Sequence, residues 1–114
     1  MNVRYQEDIL GVGLRKVSLF GTLDAPNSME IEEGFQQTVS DKGGTVILDL
    51  SGVDYMSSYG LRMIMLGAKG LKTKEGHLLL ASPSEYVRNI LRMAGYETLF
   101  PIYDTVEEAI SSSS

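Results

Sequence analysis

The chain has 114 residues, 43% hydrophobic, with no cysteine and a net charge of −5, enough to bury one core without staples and no basis for disorder, a disulfide framework, thiolate metal sites or thiol catalysis. A negative chain lacks the basic footprint nucleic acid requires, and no stretch approaches the roughly 20 apolar residues that span a bilayer, so neither nucleic acid nor membrane is an expected partner. The opening MNVRYQEDIL has no apolar run behind a basic stretch, which makes the cytoplasm the expected location.

Residues 2–7 and 17–20 read as two strands joined by a turn at Gly11 and Gly13. Pro26-Asn27-Ser28 opens a helix, with Asn27 or Ser28 as the cap and Glu30, Glu32 and Glu33 near its positive end. Ile31, Phe35 and Val39 repeat at helical spacing to about Ser40, and Asp41-Lys42-Gly43-Gly44 stops the helix. Thr45 to Leu50 is a nearly unbroken apolar run, the mark of a central strand covered on both faces. A short turn is expected at Ser51-Gly52, followed by a second helix from about Ser58 to Thr73 with Leu61, Ile64, Met65, Ala68 and Leu71 at helical spacing.

His77 to Ala81 forms the next strand, and Pro83-Ser84-Glu85 starts a third helix that Gly95 closes. Residues 99–102 read as a short edge strand containing Pro101, and Asp104 caps a last helix over residues 105–110. The predicted order is β-β-α-β-α-β-α-β-α. That is an α/β fold: one domain over residues 1–110, a mixed sheet with about four helices, and a disordered serine tail at 111–114. Charge is uneven, with four basic and nine acidic side chains in residues 1–60 against six and two in residues 62–92. The basic stretch reads either as a solvated helix face or as a docking surface for an acidic protein.

Catalytic patterns are weak. Gly11-Val12-Gly13-Leu14-Arg15-Lys16 begins like a dinucleotide fingerprint but precedes a strand and has lysine in place of the third glycine. Ser58-Tyr59-Gly60 follows a strand and starts a helix, the setting of a nucleophile elbow, yet Met56 stands where that elbow needs glycine. His77 is the only histidine, so neither a catalytic base pair nor an imidazole metal set is available. The chain is expected to be no enzyme and to carry no cofactor or metal.

What remains is the segment from Asp49 to Leu61. Ser57 or Ser58 caps the second helix there, and Gly60 permits tight packing in its first turn. A serine at the open end of a helix is also a favoured place for phosphate, because exposed amides and the dipole welcome negative charge.

Three stretches, Gly21-Thr22-Leu23-Asp24-Ala25, residues 46–61, and residues 91–95 with 99–109, give the chain a family likeness over residues 1–110. It resembles the anti-sigma factor antagonists, the stand-alone STAS domains of bacterial partner-switching systems. The resemblance implies a protein that binds an anti-sigma factor, usually a serine kinase, and is released when phosphorylated, with a serine phosphatase restoring binding. The family pattern Asp-Ser-(Ser/Ala/Thr)-Gly-Leu places the phosphoacceptor on Ser58, and Asp24 matches an acidic residue beside it; read alone, Asp24 is equally a turn or cap residue. Ser57 stands where aspartate is common, although a Ser-Ser-x-Gly-Leu-Arg version, kept here through Arg62, also fits. Tyr59 is bulky where a small residue is usual, so it narrows access for a kinase or supplies a contact of its own.

Arg62, Met63, Leu66 and Lys69 are the expected partner contacts on the outer face of the second helix, with Met63 and Leu66 alternatively in a core. A non-switching STAS scaffold, or a small-ligand module using the Asp24/Ser58 end of the sheet, is the alternative reading.

Overall fold

Gly13, held at φ +69°, lets the chain reverse within two residues. The resulting antiparallel hairpin joins β1 (Arg4–Gly11) to β2 (Leu14–Leu23) in the computed structural model, which describes residues 4–113. Asn2, Val3 and Ser114, expected in the first strand and the tail, lie outside the described residues. α1 (Ala25–Ser40), β3 (Thr45–Met56), α2 (Ser58–Lys72), β4 (His77–Ala81), α3 (Glu85–Met93), α4 (Tyr96–Leu99), β5 (Ile102–Tyr103) and α5 (Val106–Ser112) follow. One five-stranded sheet runs β1-β2-β3-β4-β5, antiparallel only between the first two strands. β3 is therefore central, as its apolar run predicts.

That run is explained by two layers. Val46, Leu48 and Leu50 point into the larger core beneath α1, α2 and α3, with Phe35, Val39, Ile64 and Leu91. Ile47 points the other way, against Ala109 of α5. Both faces of the strand are dry where α5 covers it, so no polar alternation survives.

Five expectations change. β3 does not turn at Ser51-Gly52 but continues to Met56; Ser18 faces Asp49, and Phe20 faces Gly52, so β3 holds an extra residue there. A Cβ on Gly52 would lie 2.7 Å from the Phe20 ring, which is why a residue that reads as a turn signal sits inside a strand. Residues 96–99 form a short helix, and the edge strand begins only at Ile102, after Pro101. α1 is capped by Asp24, with Pro26 in its first turn, so Asn27 and Ser28 are inside the helix. Thr105, not Asp104, caps α5; Asp104 instead accepts from Arg88 at 2.7 Å. α5 also continues through Ser112, which takes Ser111 and Ser112 out of the expected tail.

Arg15 is the charged residue that sequence reading undervalued. It is 4% exposed, and its guanidinium donates to the carbonyls of Thr38 at 2.7 Å, Val39 at 2.9 Å and Lys42 at 3.0 Å, and to Glu7 Oε2 at 2.9 Å. A cation thus closes the C-terminal end of α1, where helix carbonyls lack partners and the dipole is negative. On the opposite side, the Tyr96 hydroxyl donates to the Leu61 carbonyl at 2.6 Å, fastening α4 to the start of α2.

Arg15→Met is expected to lower unfolding free energy by about 2–3 kcal/mol in urea with an unchanged slope, the scale for losing charge-assisted bonds to buried acceptors. Burial raises the Tyr96 pKa above its ordinary 10.0. The neutral phenol therefore favours the folded state below that value, and the benefit is lost as pH rises from there through the folded pKa. Tyr96→Phe should cost about 1 kcal/mol at pH 7 and flatten the stability decline above pH 10, measured by denaturation across the alkaline range.

Candidate functional site at the carboxyl ends of β2 and β3

Leu23 and Met56 are register partners and the last residues of neighbouring parallel strands. The next residues, Asp24 and Ser57, are therefore the N-caps of α1 and α2, and the two helix starts lie side by side. Asp24 Oδ1 accepts the Asn27 amide at 3.0 Å. Its cap role is the one the geometry shows, and Leu23 places it one residue from the Ser57 anchor.

Ser57 is held three ways. Its amide and its hydroxyl both donate to the Leu23 carbonyl, at 2.9 Å and 2.8 Å. Its Oγ also accepts the Tyr59 amide at 3.2 Å. Sequence left the cap between Ser57 and Ser58; the structure assigns it to Ser57. Ser58 is then the first residue of α2, exposed, and its hydroxyl has no hydrogen-bond partner among the described residues.

Gly60 explains how the helix start comes so near the strand. A Cβ there would meet Leu23 Cβ and Met56 Cγ at 2.9 Å. The position is buried, and only hydrogen fits without displacement.

The outer residues of α2 divide. Arg62 is exposed and pairs with Glu32 of α1 at 3.0 Å. Lys69 is exposed, and Leu66 is half-buried. Met63 is 0% exposed, which corrects its expected contact role in favour of the core alternative: the inner stripe runs Gly60, Met63/Ile64, Gly67, Leu71, so the expected apolar face is rotated and Leu61, Met65 and Ala68 lie at its margin. Tyr59 is 43% exposed beside Ser58. Two features had no sequence signal, because they join distant elements: the stacked, exposed rings of Tyr55 and Tyr86 at 6.2 Å, and the Thr22–Asp54 hydrogen bond at 2.7 Å.

Among the described residues no three His, Asp or Glu side chains gather to hold a metal ion, and no helix is long and apolar enough to cross a membrane. What the site offers chemically is one free hydroxyl at the positive end of a 15-residue helix. Gly60→Ala is expected to destabilise the fold by about 1–3 kcal/mol in thermal unfolding, because the added methyl would meet Leu23 Cβ and Met56 Cγ at 2.9 Å and the Leu23 carbonyl at 3.3 Å.

The chain matches the family model of the STAS domain over residues 2–109. It is 31% identical to BtrV of Bordetella bronchiseptica, provisionally named an anti-sigma factor antagonist, over 100 residues that span 88% of this chain and 86% of that one. It is 28% identical to the anti-sigma F factor antagonist of Paenibacillus polymyxa over 103 residues, 87% of this chain and 86% of that one. The fold superposes on the Bacillus protein SpoIIAA. Its unphosphorylated form gives a TM-score of 0.76 at 23% identity, covering 96% of this chain and 95% of that one. Its phosphorylated form gives 0.71 at 21% identity, covering 97% and 100%. With the Ser57–Ser58 junction in place at the strand ends, the chain belongs to the STAS-domain family of anti-sigma factor antagonists.

Proposed function

We propose that this antagonist is a phosphorylation switch without catalytic activity of its own, acting in the cytoplasm. Its unmodified form binds an anti-sigma factor that is also a serine kinase; phosphorylation of Ser58 breaks the complex, and a serine phosphatase restores it. The observation that carries this reading is the division of labour between adjacent serines. Ser57 is consumed by the Leu23 carbonyl and the helix cap, whereas the Ser58 hydroxyl is exposed and free among the described residues.

Adding nearly two negative charges at that point has opposite effects on the chain and on a complex. Within the chain the amides and dipole of α2 receive the phosphate. At an interface the same charge must be desolvated, at a cost of several kcal/mol when nothing pairs it. The docking surface consistent with exposure is Ser58, Tyr59 and Arg62, one edge of the first helical turns.

Because Ser58 makes no capping bond, Ser58→Ala should unfold within about 0.5 kcal/mol of the parent and bind the kinase with near-parental affinity, while accepting no phosphate. Ser58→Asp should bind more weakly, though one carboxylate imitates a phosphate of nearly two charges only in part. Ser57→Ala should lose about 1 kcal/mol of stability with its cap yet still be phosphorylated at Ser58. Calorimetry and phosphopeptide mapping with a cognate kinase decide the matter: modification of Ser58→Ala at the parental rate, or equal binding by the phosphorylated protein, overturns the switch.

A further inference from the structure

Met65, Ala68, Lys69 and Lys72 keep helical spacing on α2 but take no part in the junction around Ser58. Lys69 lies eleven residues beyond Ser58, about 16 Å along the helix axis. The stripe changes character along its length, apolar first and basic in the last turn. It forms one wall of a groove of about 950 Å³, whose facing wall is Leu99, Phe100 and Pro101, the connection from α4 to β5. That volume lies at the upper end of the about 300–1,000 Å³ typical of small-molecule sites. The lining is open to solvent: Leu99 at 57% exposure is among the most exposed large apolar residues of the chain.

The mouth of the groove is positive on a chain whose net charge is −5. Lys69 and Lys72 face it from α2, and Glu75 and His77 from the turn and the start of β4. Two ammonium groups stand against one carboxylate, and neither lysine has an ion-pair or hydrogen-bond partner among the described residues. An apolar groove bordered by two free cations is complementary to one ligand chemistry.

We propose that this groove binds an amphiphilic anion, with an acyl chain along Met65, Ala68, Leu99 and Phe100 and its carboxylate between Lys69 and Lys72. The chain's methylenes leave water against apolar walls, and the lysines, three residues apart on one helix face, select the charged head. The site is separate from Ser58, and its test does not depend on the switch.

Dodecanoate titrated below its micellar range into the isotope-labelled full chain should shift the amides of Ala68, Lys69, Lys72 and Phe100 saturably and leave Ser58 in place. Dodecanol and dodecyltrimethylammonium, of the same chain length, should bind at least about tenfold more weakly, as should dodecanoate to Lys69→Glu/Lys72→Glu, where attraction becomes repulsion at two sites. Ala68→Trp, which fills the apolar wall, should abolish binding; if that variant does not fold, Leu99→Asp at its exposed position gives the same reading. Dodecanol binding as tightly as dodecanoate overturns the proposal, as do shifts that never saturate. A concentration-dependent doubling of mass that moves the same amides without ligand also overturns it, and gives the groove to a second copy of the chain.

Discussion

The carbonyl of Leu23 takes two hydrogen bonds from one residue, the amide and the hydroxyl of Ser57. Everything at this end of the molecule depends on that double acceptance. It ties the last residue of β2 to the first turn of α2 and so fixes where the helix begins relative to the sheet. It also occupies one serine completely, which is what leaves its neighbour free. Gly60 is the steric condition for the same junction, since any side chain there would push the helix away from Leu23 and Met56. Hydrogen bonding and shape thus specify one position for the Ser58 hydroxyl, and Asp24 belongs to the site as the cap of the adjoining helix.

The opposite ends of the strands are fixed by a different device. Arg15 leaves β2 early and closes the C-terminal carbonyls of α1, so α1 is anchored to β2 at both of its ends, by Asp24 at the start and Arg15 at the finish. A buried guanidinium is tolerated because five donors can be satisfied by a helix terminus and one carboxylate. Among the described residues no buried cation closes the far end of α2 in the same way. Its last turn is held by Leu71 and by the tight turn through Glu75 and Gly76, which leaves the outer side open.

What sequence made legible follows from range. The apolar run at residues 45–50, the helical spacing of Phe35 and Val39, and the Pro83-Ser84-Glu85 start with Gly95 as a stop are local signals, and each produced the element expected of it. The failures share a cause. Ser51-Gly52 reads as a turn because propensity cannot see Phe20 lying across Gly52. Met63 stays open between contact and core in the sequence because helical spacing defines a stripe only to within one position, and the contact between α1 and α2 turns α2 toward Met63 and Gly67, the latter against Phe35 and Val39. Leu99 is the exception, a local misreading: its apolar run reads as strand, whereas Gly95 at φ +80° lets residues 96–99 coil into α4, with the Tyr96 and Phe100 rings 5.6 Å apart. Ser58 was reachable from sequence only through family likeness; the choice between Ser57 and Ser58 as cap required the Leu23 carbonyl, a backbone atom that carries no sequence signature.

One field organises both ends of α2. The dipole presents positive charge at Ser58 and negative charge at Lys72, so an anion is welcome at the first residue and cations at the last turn. That alone accounts for the presence of lysines late in the helix, but not for their side. A dipole is satisfied by a cation anywhere around the last turn, and Lys74 already lies nearby, bonded to the Asp41 carbonyl at 3.0 Å. Lys69 and Lys72 instead fall on the same face as Met65 and Ala68, over apolar surface that the core does not cover. Sidedness is information the dipole does not need. It accords with the two anion sites proposed for this helix, a covalent phosphate where the strand delivers Ser58 and a diffusible anion where the lysines border the groove.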